Sequence, residues 1–233
     1  MLKYKTALIG GGFTPSRYSR AEECVVKLVS LLIVAYLLGA IPNGVWIGKA
    51  FFKTDIRQAG SGNIGTTNTY RVLGPYAGTV VMVLDIAKGT VATLLPIWGH
   101  VTTGLGHATP LLFGLFAVLG HTVSVFDHFK GGKAVATSAG MLLAYNPLMF
   151  GIAAGLWVCL IYWTSMVSLA SMIAFTLITL ISLFFHDIYL TGIALILTLF
   201  IFYRHRSNIR RIRQGTESMV PFGRGFRRRS SKG

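Results

Sequence analysis

The stretch AVATSAGMLLAYNPLMFGIAAGLWVCLIYW, residues 134–163, decides how many times this chain crosses a membrane. It is too long for one untilted helix, because about 20 residues are enough to cross a hydrocarbon core about 30 Å thick. Asn146 and Pro147 interrupt it, and this dipeptide favours a turn because proline disfavours a helical conformation in the residue before it. The stretch is therefore either one kinked helix or two short helices.

The composition of the whole chain is typical of a membrane protein. Of its 233 residues 53% are hydrophobic and only 12% are charged, and the mean hydropathy is +0.62, whereas about 25% of the residues in an ordinary soluble domain are charged. Further apolar runs are candidate membrane spans, the last of them somewhat short: residues 28–52, 76–99, 105–126, 166–185 and 188–202. With them the chain has six or seven spans.

The distribution of positive charge decides between six and seven. Many of the Lys and Arg residues follow Tyr203, outside every apolar run, and the positive-inside rule places such a tail in the cytoplasm. Five more lie in the loops at residues 53–75 and 127–133, namely Lys53, Arg57, Arg71, Lys130 and Lys133. Both loops share a side with the tail only if residues 134–163 form two helices. We therefore predict an all-α integral membrane protein with seven transmembrane helices, its N-terminus outside and its C-terminus cytoplasmic.

The chain divides into three regions on this basis. Residues 1–24 are a predicted poorly ordered extension, whose Lys and Arg oppose the outside orientation weakly; residues 25–203 are the seven-helix domain; residues 204–233 are a basic cytoplasmic tail. A net charge of +15 is also compatible with nucleic-acid binding, but the basic tail lacks interleaved aromatic residues and any nucleic-acid-binding module, so we expect no nucleic-acid partner. Cys24 and Cys159 suggest neither a disulfide framework nor a metal site.

The first polar segment, GSGNIGTTNTYR at residues 60–71, has the composition of a phosphate-binding loop. Its glycines allow backbone N–H groups to turn toward one point, and its hydroxyl and amide side chains surround that point. Arg71 adds a permanently charged fork suited to an oxyanion. An ordinary glycine-rich connector is the alternative, since glycine patterns alone are weak indicators. The candidate binding residues are Gly60, Ser61, Gly62, Asn63, Gly65, Thr67, Asn68 and Arg71.

Two further polar segments repeat this chemistry. The second, FKGGKAVAT at residues 129–137, has two lysines around a glycine pair at the start of an apolar run, and is either an anion site or an anchor for lipid headgroups. The third, RHRSN at residues 204–208, directly follows the last run, and most of its charges suit headgroup anchoring. Under the seven-span topology all three segments meet at one membrane face. We therefore predict a site for two phosphorylated ligands, at least one with an acyl chain.

Asp85 and Lys88 lie inside the second span, where each ionisable group costs about 2.5 to 3.5 kcal/mol on insertion scales. At positions i and i+3 they share a helical face and can form an ion pair. The pair is either structural or shapes the active site. We expect His121 to be a buried histidine with satisfied hydrogen bonds, because no acidic or cysteine residue stands at ligand spacing from it.

In its ordered series of motifs the sequence resembles the bacterial acyl-phosphate:glycerol-3-phosphate acyltransferases of the PlsY type. The match runs from about residue 28 to 217 and contains these motifs in order: YLLGAIPNG at 36–44, GSGNIGTTNTYR at 60–71, DIAKG at 85–89, LGH at 119–121 followed by FKGGKAVAT at 129–137, VSLAS at 167–171 and YRHRSNIRRIRQGTE at 203–217. Departures from the family pattern are Ser124 for a usual Pro, Ala134 for Gly and Ala40 for Ser, which affect fine geometry.

The resemblance implies transfer of a fatty acyl group from acyl phosphate to the 1-hydroxyl of sn-glycerol 3-phosphate, giving lysophosphatidic acid and phosphate. The enzyme would be a multi-pass protein of the bacterial cytoplasmic membrane, with its active site at the cytoplasmic face, membrane lipids around it, no cofactor or metal, and a functional link to an enzyme that forms acyl phosphate. The implied catalytic residues are Ser61, Arg71, Lys133 and His205, and the second and third segments contribute the binding residues Lys130, Gly131, Gly132, Lys133, His205 and Asn208.

The residues themselves support an activated donor. Acyltransferases that use thioesters commonly carry a His and an Asp at a fixed short spacing as a general base, and His121 and Asp127 are one residue too far apart. An acyl phosphate is already activated, so positioning and oxyanion stabilisation can supply most of the rate enhancement. The donor phosphate can then take the hydroxyl proton, with His205 as the alternative base. A transporter of organophosphates or other anions is the alternative function, but it predicts mid-membrane charges in several helices.

Overall fold

The computed structural model describes residues 17–230, and within this range it is helical without a β-strand. The helices are α1 Arg17–Ala40, α2 Asn43–Phe52, α3 Thr66–Leu73, α4 Pro75–Trp98, α5 Thr109–Thr122, α6 Val135–Tyr145, α7 Pro147–Thr164, α8 Val167–Ser182, α9 Ile188–Arg204, α10 Arg206–Arg213 and α11 Arg224–Ser230. Short 3₁₀ turns stand at Ile56–Gln58, Gly106–Ala108, Val125–Asp127 and Leu183–Phe185.

Among the described residues, four helices are long and apolar enough to cross a membrane: α1, α4, α7, and α8 with the 3₁₀ turn that follows it. Helices α9 and α10 meet at a bend of 59°, and they add a fifth if the bent pair is counted as one span. Helices α5 and α6 are shorter, at 14 and 11 residues. The described part of the chain is thus that of an all-helical integral membrane protein with four or five full-length spans, and the count of seven stays a prediction.

Residues 134–163 form two helices, the alternative that the distribution of positive charge favoured. Helix α6 ends at Tyr145, and α7 begins at Pro147, which suits the first position of a helix because it needs no backbone donor there. Asn146 is the N-cap of α7, and its side chain accepts a hydrogen bond from the Met149 backbone N–H at 3.0 Å.

The predicted continuous span at residues 28–52 is wrong, because α1 ends at Ala40 and α2 starts at Asn43. Pro42 lacks the backbone N–H that a continuous helix requires. The interruption has buried partners, since Lys88 Nζ donates to the Ile41 carbonyl at 2.8 Å and Asn43 Nδ2 donates to Asp85 Oδ1 at 2.9 Å. The ionisable pair of α4 therefore stabilises the end of α1.

Helix α4 is central, packing against α1, α3, α5 and α6. Its contact with α6 is close because small residues face each other, as is usual between membrane helices. A Cβ atom at Gly140 of α6 would lie 1.9 Å from the Ile86 carbonyl oxygen of α4. Helix α6 is thereby fixed against α4, and the second polar segment leads directly into α6.

The predicted boundary of the N-terminal extension at residue 25 falls inside α1, which begins at Arg17. Residues 1–16 lie outside the described part of the chain. The basic region at residues 204–233 contains two short helices, α10 and α11, within its described residues.

Direct contacts join the three polar segments and the α7–α8 turn at one end of the helix bundle. Arg57, before the first segment, pairs with Asp127, before the second, at 2.5 Å. Arg204 of the third segment donates to the Gly131 carbonyl at 2.7 Å. In the α7–α8 turn, Ser165 Oγ donates to the Phe222 carbonyl at 2.7 Å. At another site Tyr145, His107 and Asp187 connect the α4–α5 loop, the end of α6 and the α8–α9 turn.

Candidate active site

Asn68 builds the loop of the first polar segment. It is 1% exposed, and its Oδ1 accepts from the Ser61 backbone N–H at 2.8 Å while its Nδ2 donates to the carbonyls of Ile56 and Ala59 at 2.7 and 3.1 Å. Gly60 and Gly62 have positive φ angles of 63° and 69°, which other residues adopt only with strain. Asn68 was predicted to bind the ligand. Its amide instead makes its hydrogen bonds within the loop.

The predicted cradle of backbone N–H groups differs from the loop that is found. The Gly62 N–H donates to the Ala59 carbonyl at 3.1 Å, and the Gly65 N–H donates to Asn63 Oδ1 at 3.0 Å. Both donors are thus used inside the loop. The exposed groups of the segment are the side chains of Ser61, Thr67, Tyr70 and Arg71, together with Gly60 and Gly62.

The glycine pair of the second segment permits close packing. A Cβ atom at Gly132 would lie 2.3 Å from His121 Nε2, and the Gly132 N–H already donates to the His121 carbonyl at 3.1 Å. Arg204 Nη2 donates to the carbonyls of Gly131 and Gly132 at 2.7 and 2.6 Å. The pair therefore fixes the second segment between α5 and α9, while Lys130 is exposed.

Lys133 heads a chain of hydrogen bonds that reaches the basic tail. Its Nζ donates to Asn208 Oδ1, and Asn208 Nδ2 donates to Glu217 Oε1 at 2.7 Å. Glu217 also accepts from Ser168 and Arg211, each at 2.7 Å. Burial raises the pKa of Glu217, but the hydrogen bonds from Asn208, Ser168 and Arg211 outweigh it, so the pKa lies below its usual value and the group is a carboxylate.

Three arginines lie within electrostatic range of the Lys133 ammonium. Burial lowers its pKa to about 8; the negative charge of Glu217 opposes this shift, and the positive charges of Arg211, Arg204 and Arg71 add to it. Because Arg71 acts on Lys133, the first segment lies within electrostatic range of the second and third. Such a concentration of positive charge next to a membrane can bind multiply charged phosphate groups.

His205 is 3% exposed, and its Nδ1 lies 2.8 Å from the Ile201 carbonyl oxygen. A carbonyl only accepts, so Nδ1 carries the proton and Nε2 has the free lone pair. Burial lowers the pKa of His205 to about 4, and the Lys133 charge contributes to the shift. The imidazole is therefore neutral at pH 7, and its Nε2 can accept a hydrogen bond.

A buried polar cluster lies beneath the loops. Asp85 and Lys88 form the predicted ion pair at 2.9 Å, and His121 Nδ1 lies 4.0 Å from Asp85 and 3.2 Å from the hydroxyl of Thr137. His121 is thus a buried histidine with a hydrogen-bond partner, as expected. Gly132 packs on the His121 ring, so the cluster contacts the second segment as well as the end of α1.

Sequence reasoning missed several residues that build the site. Arg204 was counted among the headgroup anchors, Arg211 only as part of the basic tail, and Arg57 only as a positive charge. Glu217 was assigned no role, although a glutamate after an arginine-rich helix is a signal for a buried ion pair. The structure adds to the site Arg57, Asp127, Ser168, Arg204, Arg211 and Glu217.

Comparison with known proteins then identifies the family. The family model described as glycerol-3-phosphate acyltransferase matches residues 29–215. The chain belongs to this family. A glycerol-3-phosphate acyltransferase of Levilactobacillus brevis is 86% identical over 207 residues, which cover 89% of this chain and 100% of the relative. One of Lactiplantibacillus plantarum is 62% identical, covering 87% of this chain and 97% of the relative.

Solved structures of an integral membrane glycerol 3-phosphate acyltransferase, PlsY (YgiH), have the same fold. The glycerol 3-phosphate form matches with a TM-score of 0.76 and 36% identity, covering 83% of this chain and 95% of the other. The lysophosphatidic acid form matches with a TM-score of 0.74 and the same identity and coverage. Glu217 and the segment after it lie beyond the range that the family model matches.

Proposed function

We propose that this protein is a membrane enzyme that transfers a fatty acyl group from acyl phosphate to the 1-hydroxyl of sn-glycerol 3-phosphate, releasing lysophosphatidic acid and inorganic phosphate. Membership of the glycerol-3-phosphate acyltransferase family supports the acceptor, as do the ligand forms of the related solved structures. The observation that carries the proposal is a group of four cations from three distant parts of the chain. Arg204 donates to the glycine pair beside Lys133, Arg211 is connected to Lys133 through Glu217 and Asn208, and Arg71 lies within electrostatic range of Lys133.

The charges of this group suit a reaction between two phosphorylated molecules. Both substrates carry negative charge and repel each other in water, and a cationic site removes that repulsion while it orients them. Cations and hydroxyl donors near the reacting carbonyl also stabilise the oxyanion that develops in acyl transfer. We assign phosphate binding to Arg71, Lys133 and the exposed hydroxyls of Ser61 and Thr67, with Lys130 at the rim.

The protonation states favour proton transfer to the donor's own phosphate. The carboxylate of Glu217 accepts hydrogen bonds from Asn208, Ser168 and Arg211. His205, with a pKa of about 4, is a weak base at neutral pH. We infer that His205 Nε2 orients the attacking hydroxyl by accepting its hydrogen bond, and that an oxygen of the acyl phosphate takes the proton as the carbon–oxygen bond forms and phosphate leaves.

We propose a seven-helix topology in the bacterial cytoplasmic membrane, with the active site and C-terminus on the cytoplasmic side and the N-terminus outside. The short helices α5 and α6 would complete the seven spans. The contacts that gather the polar segments and the α7–α8 turn at one end of the bundle support this arrangement. No cofactor or metal enters the reaction, and an enzyme that forms acyl phosphate must supply the donor.

The decisive experiment follows product formation by purified protein in detergent. With acyl phosphate and glycerol 3-phosphate together we expect stoichiometric phosphate and lysophosphatidic acid, and with acyl phosphate alone only its spontaneous hydrolysis. Acyl-CoA should not replace the donor, and a chelator should not change the rate. Turnover with acyl-CoA alone, inhibition by chelator, or no lysophosphatidic acid with either donor would contradict the proposal.

A further inference from the structure

Arg57 joins the chain before the first polar segment to the chain before the second. Its Nη1 donates to Asp127 Oδ1 at 2.5 Å. Its Nε and Nη2 donate to the two carboxylate oxygens of Asp55 at 2.9 and 2.5 Å. Asp55 also accepts from the Arg57 backbone N–H at 3.1 Å, so the guanidinium is anchored on its own loop and extends from there to Asp127.

The burial of Asp127 makes this pair consequential. Its side chain is only 5% exposed, while that of Arg57 is 32% exposed. A buried carboxylate that loses its cation is strongly destabilising, because its charge is then neither hydrated nor paired. The Arg57 guanidinium holds the pKa of Asp55 well below its usual range, and the two carboxylates raise the pKa of Arg57. We call the contact of Arg57 with Asp55 and Asp127 the junction. Within it, Arg57 and Asp55 are both fully charged at neutral pH.

The chain that follows Asp127 is strained. His128, Phe129 and Ala134 have φ angles of 51°, 58° and 55° although none is glycine. The left-handed conformation costs about 1–2 kcal/mol per residue, and it persists only where the surroundings hold it. Two restraints hold it: the Ser124 carbonyl accepts from the Phe129 N–H at 2.8 Å, and Arg204 donates to the carbonyls of the glycine pair. Arg57 supplies a restraint from the side of the first segment.

We propose that Arg57 is a positioning residue of acyl transfer: through Asp127 it holds the second polar segment, and with it Lys133, at a fixed distance from Ser61 and Arg71. The inference rests on the proposed function. Two separately bound substrates react only when their atoms are about 3–3.5 Å apart, and a misplacement of 1 Å can cost about 100-fold in rate. The junction therefore acts on turnover without touching either substrate.

A double-mutant cycle separates positioning from a purely structural role. The variants are Arg57→Ala, Asp127→Ala and both together, with Lys49→Ala as the matched control, since Lys49 also pairs with Asp55, at 3.3 Å, but is 54% exposed and does not contact Asp127. We expect each single variant and the double to lose about 10- to 100-fold in kcat, without additivity. The double variant should regain the thermal stability that Arg57→Ala loses, because its Asp127 charge is gone. Lys49→Ala should stay within about twofold of the parent.

A distance measurement tests the inference independently of the reaction. Spin labels at Gln58→Cys and His128→Cys, both exposed positions, would report the distance between the segments in a Cys24→Ser/Cys159→Ser background. We expect a narrow distribution that broadens on Arg57→Ala. An unchanged distribution, or parental kcat in the double variant, would overturn the inference. Failure of the parent to make lysophosphatidic acid would instead count against the proposed function, and the spin-label result would still decide whether Arg57 couples the segments.

Discussion

Substitutions of Arg71 and Lys133 can distinguish a phosphate-binding site from a basic surface that only anchors the protein. An anchor needs positive charge alone, so Arg71→Lys would then be nearly silent. A phosphate site also needs the planar fork of arginine, which lysine lacks. Loss of a charge-assisted hydrogen bond of about 1.5 to 3 kcal/mol corresponds to about a 10- to 100-fold fall in kcat/KM. We expect that fall for Arg71→Lys, Arg71→Ala and Lys133→Ala in membrane-inserted protein, measured as lysophosphatidic acid formation.

The matched control is Arg213→Ala, which removes an exposed arginine at the end of α10. It should leave kcat/KM within about twofold of the parent, as should Arg228→Ala in the tail. Equal and mild effects at all of these positions would mean that the cationic group is a headgroup anchor.

The pKa of Lys133 sets an expected pH dependence. Burial lowers this pKa to about 8 in the free protein, and only the protonated ammonium attracts phosphate. As pH rises through 8 the ammonium is lost, so kcat/KM, which reports ionisations of the free enzyme, should fall on the alkaline side. Lys133→Arg should remove this alkaline limb, because arginine stays protonated. A limb near pH 8 that persists in Lys133→Arg would assign the ionisation to another group.

For single residues, the sequence predicts which side chains are candidates for the site better than it predicts which groups they contact. Arg71 was predicted as a phosphate ligand because glycines and hydroxyl residues precede it in the sequence, whereas Lys133 was assigned through the resemblance of its segment to a family motif. Asn68 belongs to the same motif, yet its amide is used to fold the loop. Whether a polar side chain faces a ligand or its own loop depends on backbone turns that composition does not specify. Glu217 escaped prediction because its partners, Ser168 and Asn208, come from different helices.

The segment after Glu217 folds back onto the α7–α8 turn. The Ser165 carbonyl accepts from the Val220 N–H at 2.8 Å. Ser165 Oγ accepts from the Phe226 N–H at 2.9 Å and donates to the Phe222 carbonyl. Arg224 stacks over the Trp163 ring at 4.5 Å. Because these contacts follow Glu217 directly, they fix the carboxylate that holds Asn208, and Asn208 in turn accepts from Lys133.

We therefore expect Ser165→Ala to lower both stability and turnover. Each lost hydrogen bond is worth about 0.5–1.5 kcal/mol, and a buried partner left unsatisfied costs about 1–3 kcal/mol. Thermal unfolding in detergent should occur at lower temperature, and kcat should fall several-fold as Glu217 becomes less constrained. Truncation after Met219 should have the larger effect on both. Arg227→Ala, in the same segment but exposed, is the control; parental kcat in the truncated protein would show that the segment is dispensable.

Helix boundaries were predictable where a local signal sets them. Asn146 and Pro147 give the α6–α7 break because the cap and the proline act on their own neighbours. Pro42 gives an equally local signal, but it stands in a run whose hydropathy suggests one span. The buried partners at that break, Lys88 and Asp85, come from α4. Hydropathy reports the length of an apolar run, whereas interruption of a helix inside it depends on tertiary partners.

At the scale of the whole molecule, the positions of the charged residues determine how the polar segments are supported. The buried ion pair of α4, the junction at Arg57 and the Lys133 chain all lie near one end of the bundle, and each contacts one or more of the polar segments of the proposed site or the residues beside them. Composition therefore predicted a membrane protein, and charge distribution predicted a single polar face. The number of spans was harder to predict, because α5 and α6 are shorter than a typical membrane helix. They are counted as spans only because the two basic loops must lie on the same side of the membrane as the basic tail.

The proposed topology can be tested with single cysteines. Cys24 and Cys159 are exposed and would first be replaced by serine. A cysteine at Ser207, exposed in α10, and one at Thr102, exposed in the α4–α5 loop, lie on opposite sides of the membrane if α4 crosses it and the polar segments face the cytoplasm. In sealed cells an impermeant maleimide should label only Thr102→Cys, and in inverted vesicles only Ser207→Cys. Permeabilised membranes, where both should react, control for accessibility. Labelling of both positions from one side would contradict the seven-helix arrangement, because an even number of crossings would then separate the α4–α5 loop from the basic tail.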